Sequence, residues 1–352
     1  MAWLQVTLIS VAIASYVIRL CSLSPVDNET AMEVIFGKDN DGGDTSRRPP
    51  VFAHGGAGRH APENTLAAIQ VAAERMAEGI VVDLSFTRDD AGVLFHGENL
   101  ERTTNGEGLL AETSFQDLRR LDAGSKHPLS ENCLCVRVPT LEEGVHECLR
   151  LGLRFIVRVK RYDERAVALL DALFRQRPKL YRRGLVSSYD PLFIYALRYR
   201  NPDIVTALTW RPGLLAYEDV EKWRPRFGTL KEHLKAGVAD WFLELALNTG
   251  LLHYVTGASA LLADTNTLNA ASVRRWRDRG VHVIARTPND RVEKKYFLQV
   301  LQVPIITDTL NLGTRPRGQR RTHLTVPPHQ YPGTCPYSEL WRKSFLKPIQ
   351  CG

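Results

Sequence analysis

The residues of this sequence that could do chemistry recur at the ends of short apolar runs. In the stretch "VFAHGGAGRHAPENTLAAI" (51–69), His54 ends an apolar run, a glycine-rich turn follows, and "PENT" begins a helical pattern. A single aspartate at the end of such a run is more often a helix cap than a catalyst. Several polar residues in that position, together with a histidine, indicate a functional site. Besides His54, the polar residues at or near the ends of apolar runs are Asp83, Lys160, Ser187, Asp264 and Asp308.

Strand and helix patterns alternate through most of the chain. Apolar runs such as "IVVDLSF" (80–86) and "RFIVRVK" (154–160) predict buried strands, and runs such as "ERAVALLDALFRQ" (164–176) predict the helices between them. Eight such units across roughly 270 residues match the usual size of a (β/α)8 barrel, the TIM barrel. A doubly wound open sheet is the alternative, but its glycine fingerprint is missing after the first strand. Because barrel sites form where the strands end, the polar residues above are expected to meet at one mouth.

The size and charge of the chain exclude few functions. Its 352 residues can form one large domain or two modest ones. The net charge is +7, and part of the basic excess lies in "RPRGQRRTH" (315–323). Such a run is usually a solvated surface, and contact with an anionic membrane is the alternative. No zinc-ligand spacing or nucleic-acid-binding motif occurs, so nucleic acid is not an expected partner.

The N-terminus predicts attachment to a membrane. The run "AWLQVTLISVAIASYVI" (2–18) is apolar and has no charge before Arg19. This length is about the minimum for a membrane-spanning helix. A signal peptide is the alternative, because "AIA" (12–14) resembles a cleavage site. The run lacks an initial lysine or arginine, which favours a retained single-pass anchor in the secretory pathway or at the plasma membrane.

These patterns divide the chain into four consecutive segments. The first is the predicted anchor, and the second is a linker rich in glycine, proline and charged residues. The third is the barrel, in which the turn "TRDDAG" and the run "GVLFH" predict a small hairpin inserted after the second strand. The fourth is a basic C-terminal tail. Their predicted ranges are 1–26, 27–50, 51–318 and 319–352.

Three longer motifs resemble a known family. They are "HGGAGRHAPENTLAAI" (54–69), "VVDLSFTRDDAGVLFHGENLERTTNGEG" (81–108) and "VPIITD" (303–308). The chain resembles the glycerophosphodiester phosphodiesterases through nearly the whole predicted barrel, and most of all the membrane-anchored animal type. The resemblance implies a TIM barrel that hydrolyses glycerophosphodiesters or lysophospholipids. It also implies a divalent metal, Mg²⁺ or Ca²⁺, that polarises the phosphate.

The resemblance also assigns roles to individual residues. His54 and His96 match the two catalytic histidines, which suits the chemistry because imidazole can give or take a proton near neutral pH. Lys160 and Glu63 match positions that contact phosphate or substrate. Asp83 matches one of the metal ligands.

The sequence departs from the family pattern at the metal site. The first motif is usually His-Arg-Gly, but Gly55 stands where the phosphate-binding arginine is expected. The second motif is usually Glu-x-Asp, and Val81 replaces its glutamate while the aspartate is kept. A third carboxylate is expected two residues before Lys160, where this chain has Arg158.

These replacements predict an arginine in place of the metal ion. Residues two apart on a strand share a face, so Val81 points with Asp83, and Arg158 points with Lys160. On adjacent strands Arg158 would face Asp83, neutralise its charge and repel a divalent cation. The expected result is an ion pair between Asp83 and Arg158 and weak or absent metal binding.

Three functions are compatible with this pattern. The first is a phosphodiesterase with weakened or lost activity, acting on glycerophosphodiesters or lysophospholipids. The second is a non-catalytic family member that binds a lipid phosphate or a protein partner through the same mouth. The third is a membrane-anchored scaffold in which the barrel is only a folded platform. The first function predicts metal-dependent hydrolysis, and the second predicts ligand binding without turnover. The third predicts that mutation of His54 and Lys160 has no measurable effect.

Overall fold

The strands of the protein form a closed barrel. The computed structural model describes residues 2–37, 48–56, 59–128, 136–218 and 224–310. Eight parallel strands close the barrel because β1 pairs with both β2 and β9, and β3 pairs antiparallel with β2 as a hairpin. The predicted (β/α)8 barrel is therefore confirmed. Within the described ranges the strands are β1 (Val51–His54), β2 (Gly79–Phe86), β3 (Gly92–Leu94), β4 (Arg154–Val159), β5 (Gly184–Ser188), β6 (Val205–Trp210), β7 (Ala260–Asp264), β8 (His282–Arg286) and β9 (Ile305–Thr307).

The helices connect successive strands and precede the first one. Several begin at a residue whose side chain accepts a hydrogen bond from a free backbone N–H, as Thr65, Thr140 and Asp163 do. The described α-helices are α1 (Ala2–Cys21), α2 (Asn28–Phe36), α3 (Leu66–Glu74), α4 (Phe115–Leu118), α5 (Leu141–Arg150), α6 (Glu164–Gln176), α7 (Pro191–Arg200), α8 (Leu230–Asn248), α9 (Leu251–Thr256), α10 (Ala270–Asp278) and α11 (Arg291–Lys295).

An apolar cluster fills the barrel interior. It contains inward-facing strand residues such as Phe52, Val81 and Ile156, together with Ile35 and other residues of α2. Helix α2 therefore closes the amino-terminal end of the barrel. Arg154 at the start of β4 holds the end of this helix, because its Nη1 donates to the backbone oxygen of Ile35 at 2.7 Å. The opposite end of the barrel is left for polar residues.

The position of α2 corrects the predicted linker. The range 27–50 is predicted to be a linker between the anchor and the barrel. Instead, Asp27 caps α2 by accepting from the backbone N–H groups of Glu29 and Thr30, each at 2.9 Å, and Ala31 and Val34 are buried. Burial against the barrel supplies the stability that the short run lacks alone. Residues 38–47 and the predicted tail at 319–352 lie outside the described residues.

Helix α1 covers most of the predicted membrane anchor. Its apolar side chains are largely exposed, among them Trp3 at 88%. Among the described helices, none has the combination of length and apolarity that crossing a membrane requires. The predicted transmembrane span is therefore not found in the structure. The segment after α1 is fixed to the barrel, because the backbone N–H of Leu23 donates to the oxygen of Val255 at 3.0 Å.

Candidate active site

A layer of polar side chains lies above the apolar interior of the barrel. Alternate residues of a strand face the same side, so the residue two positions after an inward apolar residue also faces inward. Phe52 is thus followed by His54, and Ile156 by Arg158. Because the eight strands are parallel, these residues meet at their carboxyl ends, which we call the mouth. The full set is His54, Asp83, Arg158, Ser187, Thr209, Asp264, Arg286 and Asp308.

A buried ion pair joins β2 to β4 in the mouth. Asp83 and Arg158 are register partners, and their side chains are only 3% and 6% exposed. Arg158 Nε donates to Asp83 Oδ1 at 2.5 Å, and Nη2 donates to Asp83 Oδ2 at 2.9 Å. Burial alone would raise the pKa of the Asp83 carboxyl, but the Arg158 guanidinium and His96 hold it well below its usual range. The carboxylate therefore stays ionised at neutral pH.

His96 contacts both members of this pair and is more exposed to solvent than they are. Its Nδ1 lies 2.6 Å from Asp83 Oδ2 and 3.1 Å from Arg158 Nη2. Two acceptor atoms would repel each other at 2.6 Å, so Nδ1 carries the proton and donates it to Asp83, which leaves Nε2 for a ligand. Behind the carboxylate, Asn64 Oδ1 accepts from the backbone N–H of Asp83 at 2.9 Å. Asn64 is therefore a positioning residue, while Thr65 caps α3.

His54 belongs to a second unit with the same parts. Its Nδ1 lies 2.7 Å from Asp308 Oδ1, and Asn289 Nδ2 donates to Asp308 Oδ2 at 2.7 Å. Asn289 Oδ1 also accepts from the backbone N–H of Asp308 at 3.0 Å. Burial opposes ionisation of Asp308, but the hydrogen bonds from His54 and Asn289 lower the pKa of its carboxyl. The mouth thus contains two Asn–Asp–His units, each with an imidazole oriented by a carboxylate.

Lys160 and Glu63 lie at the rim of the mouth. Partial loss of hydration is the largest influence on the exposed Lys160 ammonium and lowers its pKa, and nearby Arg158 lowers it further against the opposing effect of Asp83. The Glu63 carboxylate forms an ion pair with Arg102. Arg102 also donates to the backbone oxygen of His96 at 2.8 Å. Glu63 therefore helps to fix the loop that carries His96.

Three residues of the site have no signal in the sequence that singles them out, and a fourth, Arg286, was not among the predicted site residues. Asn64 and Asn289 hold the two aspartates, and Arg102 links Glu63 to the His96 loop. Arg286 is inward-facing at the end of β8, where strand alternation could have predicted it. The two asparagines lie in turns, and only the folded loops bring them to their partners.

The donor set of the mouth does not fit a divalent cation. Mg²⁺ and Ca²⁺ require several oxygen ligands. Within the described residues, no group of three or more histidine, cysteine, aspartate or glutamate side chains is arranged to hold a metal ion. Both oxygens of Asp83 bind Arg158, whose charge repels a cation, and the apolar Val81 precedes Asp83 on the inward face. The positions implied for a metal thus hold a buried ion pair.

Gly55 also has a backbone that an arginine would not adopt easily. Its φ is +59°, in the left-handed region, and a Cβ there would lie 2.9 Å from the Cβ of Glu63. The backbone N–H of Gly55 donates to Val81 and its oxygen accepts from Asn64, both at 2.9 Å. Restoring the arginine of the family pattern at this position would therefore strain the turn.

The fold and the site together define a class of protein. A closed parallel barrel with two oriented histidines and several cations at its mouth is a TIM barrel with a candidate site at the carboxyl ends of its strands. The sequence profile of the Glycerophosphoryl diester phosphodiesterase family matches residues 54–312. The chain belongs to this family.

Known relatives match most of the chain. Glycerophosphodiester phosphodiesterase 1 from Bos taurus is 35% identical over 293 residues, which are 83% of this chain and 85% of the bovine protein. The protein of the same name from Homo sapiens is 33% identical over 293 residues, with the same shares of both chains.

Solved structures share the fold at low sequence identity. A putative glycerophosphoryl diester phosphodiesterase from Silicibacter pomeroyi has a TM-score of 0.60 at 19% identity, over 80% of this chain and 95% of that one. A phosphodiesterase from Oleispira antarctica, in complex with the product sn-glycerol-3-phosphate, has a TM-score of 0.57 at 21% identity, over 75% of this chain and 95% of that one.

Proposed function

We propose that the mouth binds glycerophosphodiesters or lysophospholipids by their phosphate and hydrolyses them slowly, without a tightly held divalent ion. Family membership supports this class of ligand. So does the sn-glycerol-3-phosphate in the related Oleispira antarctica phosphodiesterase. The observation that carries the proposal is the Asp83–Arg158 pair, which puts a permanent cation where the family resemblance implies a metal.

The cations of the mouth supply the charge that an anionic phosphodiester needs. Lys160 lies at the rim, and within the described residues no carboxylate forms an ion pair with it. Its ammonium is therefore the group that contacts a phosphate oxygen. Arg158 lies below it on the same inward face and adds positive charge, although its hydrogen bonds go to Asp83. A cation in a partly dry pocket attracts an anion more strongly than one in water.

The two Asn–Asp–His units supply the proton transfers. In hydrolysis one Nε2 takes a proton from water, the water oxygen forms a bond to phosphorus, and the phosphorus–oxygen bond to the leaving alcohol breaks. The other Nε2 gives a proton to the leaving oxygen, so the protons balance. The ionised Asp83 and Asp308 hold the Nδ1 protons of His96 and His54, which orients both Nε2 atoms. Without a metal to stabilise the developing charge, we expect slow turnover.

Binding and hydrolysis of glycerophosphoglycerol test this proposal. Calorimetry should give an affinity that Lys160→Gln weakens about tenfold or more, because one charge-assisted contact is lost. The control Lys179→Gln changes an exposed lysine beyond α6 and should leave the affinity unchanged. His96→Gln should keep the binding but stop the appearance of glycerol 3-phosphate, measured by ³¹P NMR.

Other outcomes favour the alternatives. Binding without any turnover by the natural chain would support a non-catalytic family member. If Lys160→Gln and Lys179→Gln bind glycerophosphoglycerol with the same affinity, the mouth is not the binding site. Absence of binding to both glycerophosphoglycerol and a lysophospholipid would leave the scaffold function.

We also propose that the protein works at a membrane surface. Helices α1 and α8 both contact α9, and both expose apolar side chains. Trp3 on α1 is 88% exposed, and Trp241 and Phe242 on α8 are each 59% exposed. Aromatic residues of this kind favour the membrane interface. Removing residues 1–26 should shift the protein to the soluble fraction with its barrel intact, measured by fractionation and circular dichroism. Full-length protein that is wholly soluble without N-terminal processing would contradict the proposal.

A further inference from the structure

The mouth contains a second aspartate–arginine pair opposite the first. Asp264 at the end of β7 and Arg286 at the end of β8 are register partners, as Asp83 and Arg158 are on β2 and β4. In the closed strand order, β7 and β8 stand directly across the barrel from β2 and β4. The two pairs therefore face each other over the same opening.

The second pair has a donor atom and an acceptor atom that form no hydrogen bond in the described part of the chain. Arg286 Nη1 lies 3.2 Å from Asp264 Oδ1, and the side chains are 13% and 8% exposed. Yet Arg286 Nη1 and Asp264 Oδ2 are buried atoms without a hydrogen-bond partner in the described part of the chain. Asp83, by contrast, is saturated. Buried polar atoms that stay unpaired are costly, so this set points to a ligand that completes it.

The surroundings favour a ligand with an anionic group. The Arg286 guanidinium lies over the Tyr189 ring, with Cζ 5.2 Å from the ring centroid. The buried Arg211 is close enough to Asp264 for each to influence the pKa of the other. Two guanidinium groups therefore accompany one carboxylate, and the wall carries a net positive charge.

We infer that Arg286 and Asp264 bind the head group of the diester, and that the preferred head group carries both a carboxylate and an ammonium, as serine does. Arg286 donates to the carboxylate, and Asp264 accepts from the ammonium. This inference rests on the proposed function, because the phosphate must occupy the opposite wall. A pair with unmet donors and acceptors fits a zwitterion better than a neutral polyol, which would leave the charges unmatched.

Three diesters with a common glycerophosphate half test the inference by calorimetry on the full chain. They are glycerophosphoserine, glycerophosphoethanolamine and glycerophosphoglycerol. The natural chain should bind the serine diester about tenfold or more tightly than the other two. Arg286→Gln should remove that preference while changing the affinity for glycerophosphoglycerol less than about threefold. Arg286→Lys should restore part of it, since it keeps the charge without the planar fork.

Two further variants separate recognition from damage to the fold. Asp264→Asn should weaken binding of the serine and ethanolamine diesters but not of the glycerol diester. Arg120→Gln changes an exposed arginine whose ion pair is with Asp117, and it should change none of the three affinities. Equal affinity of the natural chain for all three diesters, or an equal loss for all three in Arg286→Gln, would overturn the inference and leave the proposed function standing. Failure of all three to bind the natural chain would overturn the inference, and failure of a lysophospholipid to bind as well would overturn the proposed function.

Discussion

Replacing Arg158 with methionine tests whether the mouth is built around its ion pair. The change removes two hydrogen bonds to Asp83, of 2.5 and 2.9 Å, and leaves a carboxylate that is 3% exposed. Removing one partner of a buried pair costs about 3–5 kcal/mol, because the other charge loses its compensation. His96 remains beside Asp83 and still donates a hydrogen bond to it. We therefore expect the free energy of unfolding at pH 7 to fall by a value near the lower limit, about 3 kcal/mol.

The loss should be smaller in acid. In the natural chain the folded-state pKa of Asp83 is lowered, so the contribution of the pair is fully present above the usual carboxyl pKa and is lost only as the pH falls through the lowered value. In Arg158→Met, burial without the guanidinium raises the pKa of the same carboxyl. A neutral, less costly Asp83 then forms at a higher pH than in the natural chain. The difference in stability between the two proteins should therefore be larger at pH 7 than at pH 5.

Urea unfolding, followed by tryptophan fluorescence at both pH values, measures these differences. The matched control is Arg120→Met, which removes an exposed pair with Asp117 at 3.6 Å, where the side chains are 71% and 59% exposed. Exposed pairs contribute at most about 1 kcal/mol. If Arg158→Met destabilises the protein no more than Arg120→Met does, the ion pair does not organise the mouth.

Three further predictions follow from the same structure. Asn289→Ala should lower kcat for glycerophosphoglycerol about tenfold or more with little change in KM, because His54 loses its orienting unit. His253, whose pKa burial lowers to about 4, should make the protein lose stability between pH 6.5 and 4, and His253→Phe should remove that part of the loss in urea titrations. Val81→Glu combined with Arg158→Glu should create a carboxylate cluster that binds Mg²⁺ in calorimetry.

Each of the three has a contrary result. An unchanged kcat in Asn289→Ala would mean that the second unit does not orient its histidine. If His253→Phe loses as much stability in acid as the natural chain does, then another group causes the loss. No Mg²⁺ binding by a folded double variant would show that the mouth lacks the remaining ligands of a metal site.

The barrel was predictable because its signals are local and repeated. The helix at Glu164–Gln176 has the bounds that the apolar pattern predicts. Helix α2 was not predictable, because its stability depends on burial under the barrel. Helix α8 was also missed, since its apolar side chains, such as Trp241, face solvent and no single buried stripe stands out.

The site was predictable where strand alternation decides it. The facing positions of Asp83 and Arg158 follow from a period of two and from the order of neighbouring strands. The partners of the histidines do not follow from any spacing rule. Asp308 lies 254 residues after His54, and Asn64 reaches Asp83 across 19 residues of a turn and helix. Only the closed barrel and its loops bring these groups together.

The claim that the mouth holds a phosphodiester with its own cations is tested most directly by metal titration of the purified chain. Calorimetry with Mg²⁺ and Ca²⁺ would be run beside hydrolysis of a glycerophosphodiester with and without EDTA. We predict no tight binding of either ion and a slow rate that EDTA leaves unchanged. Rapid hydrolysis that EDTA abolishes and Mg²⁺ restores would contradict the claim, and would make Glu63 and Glu98 the first residues to test as metal ligands.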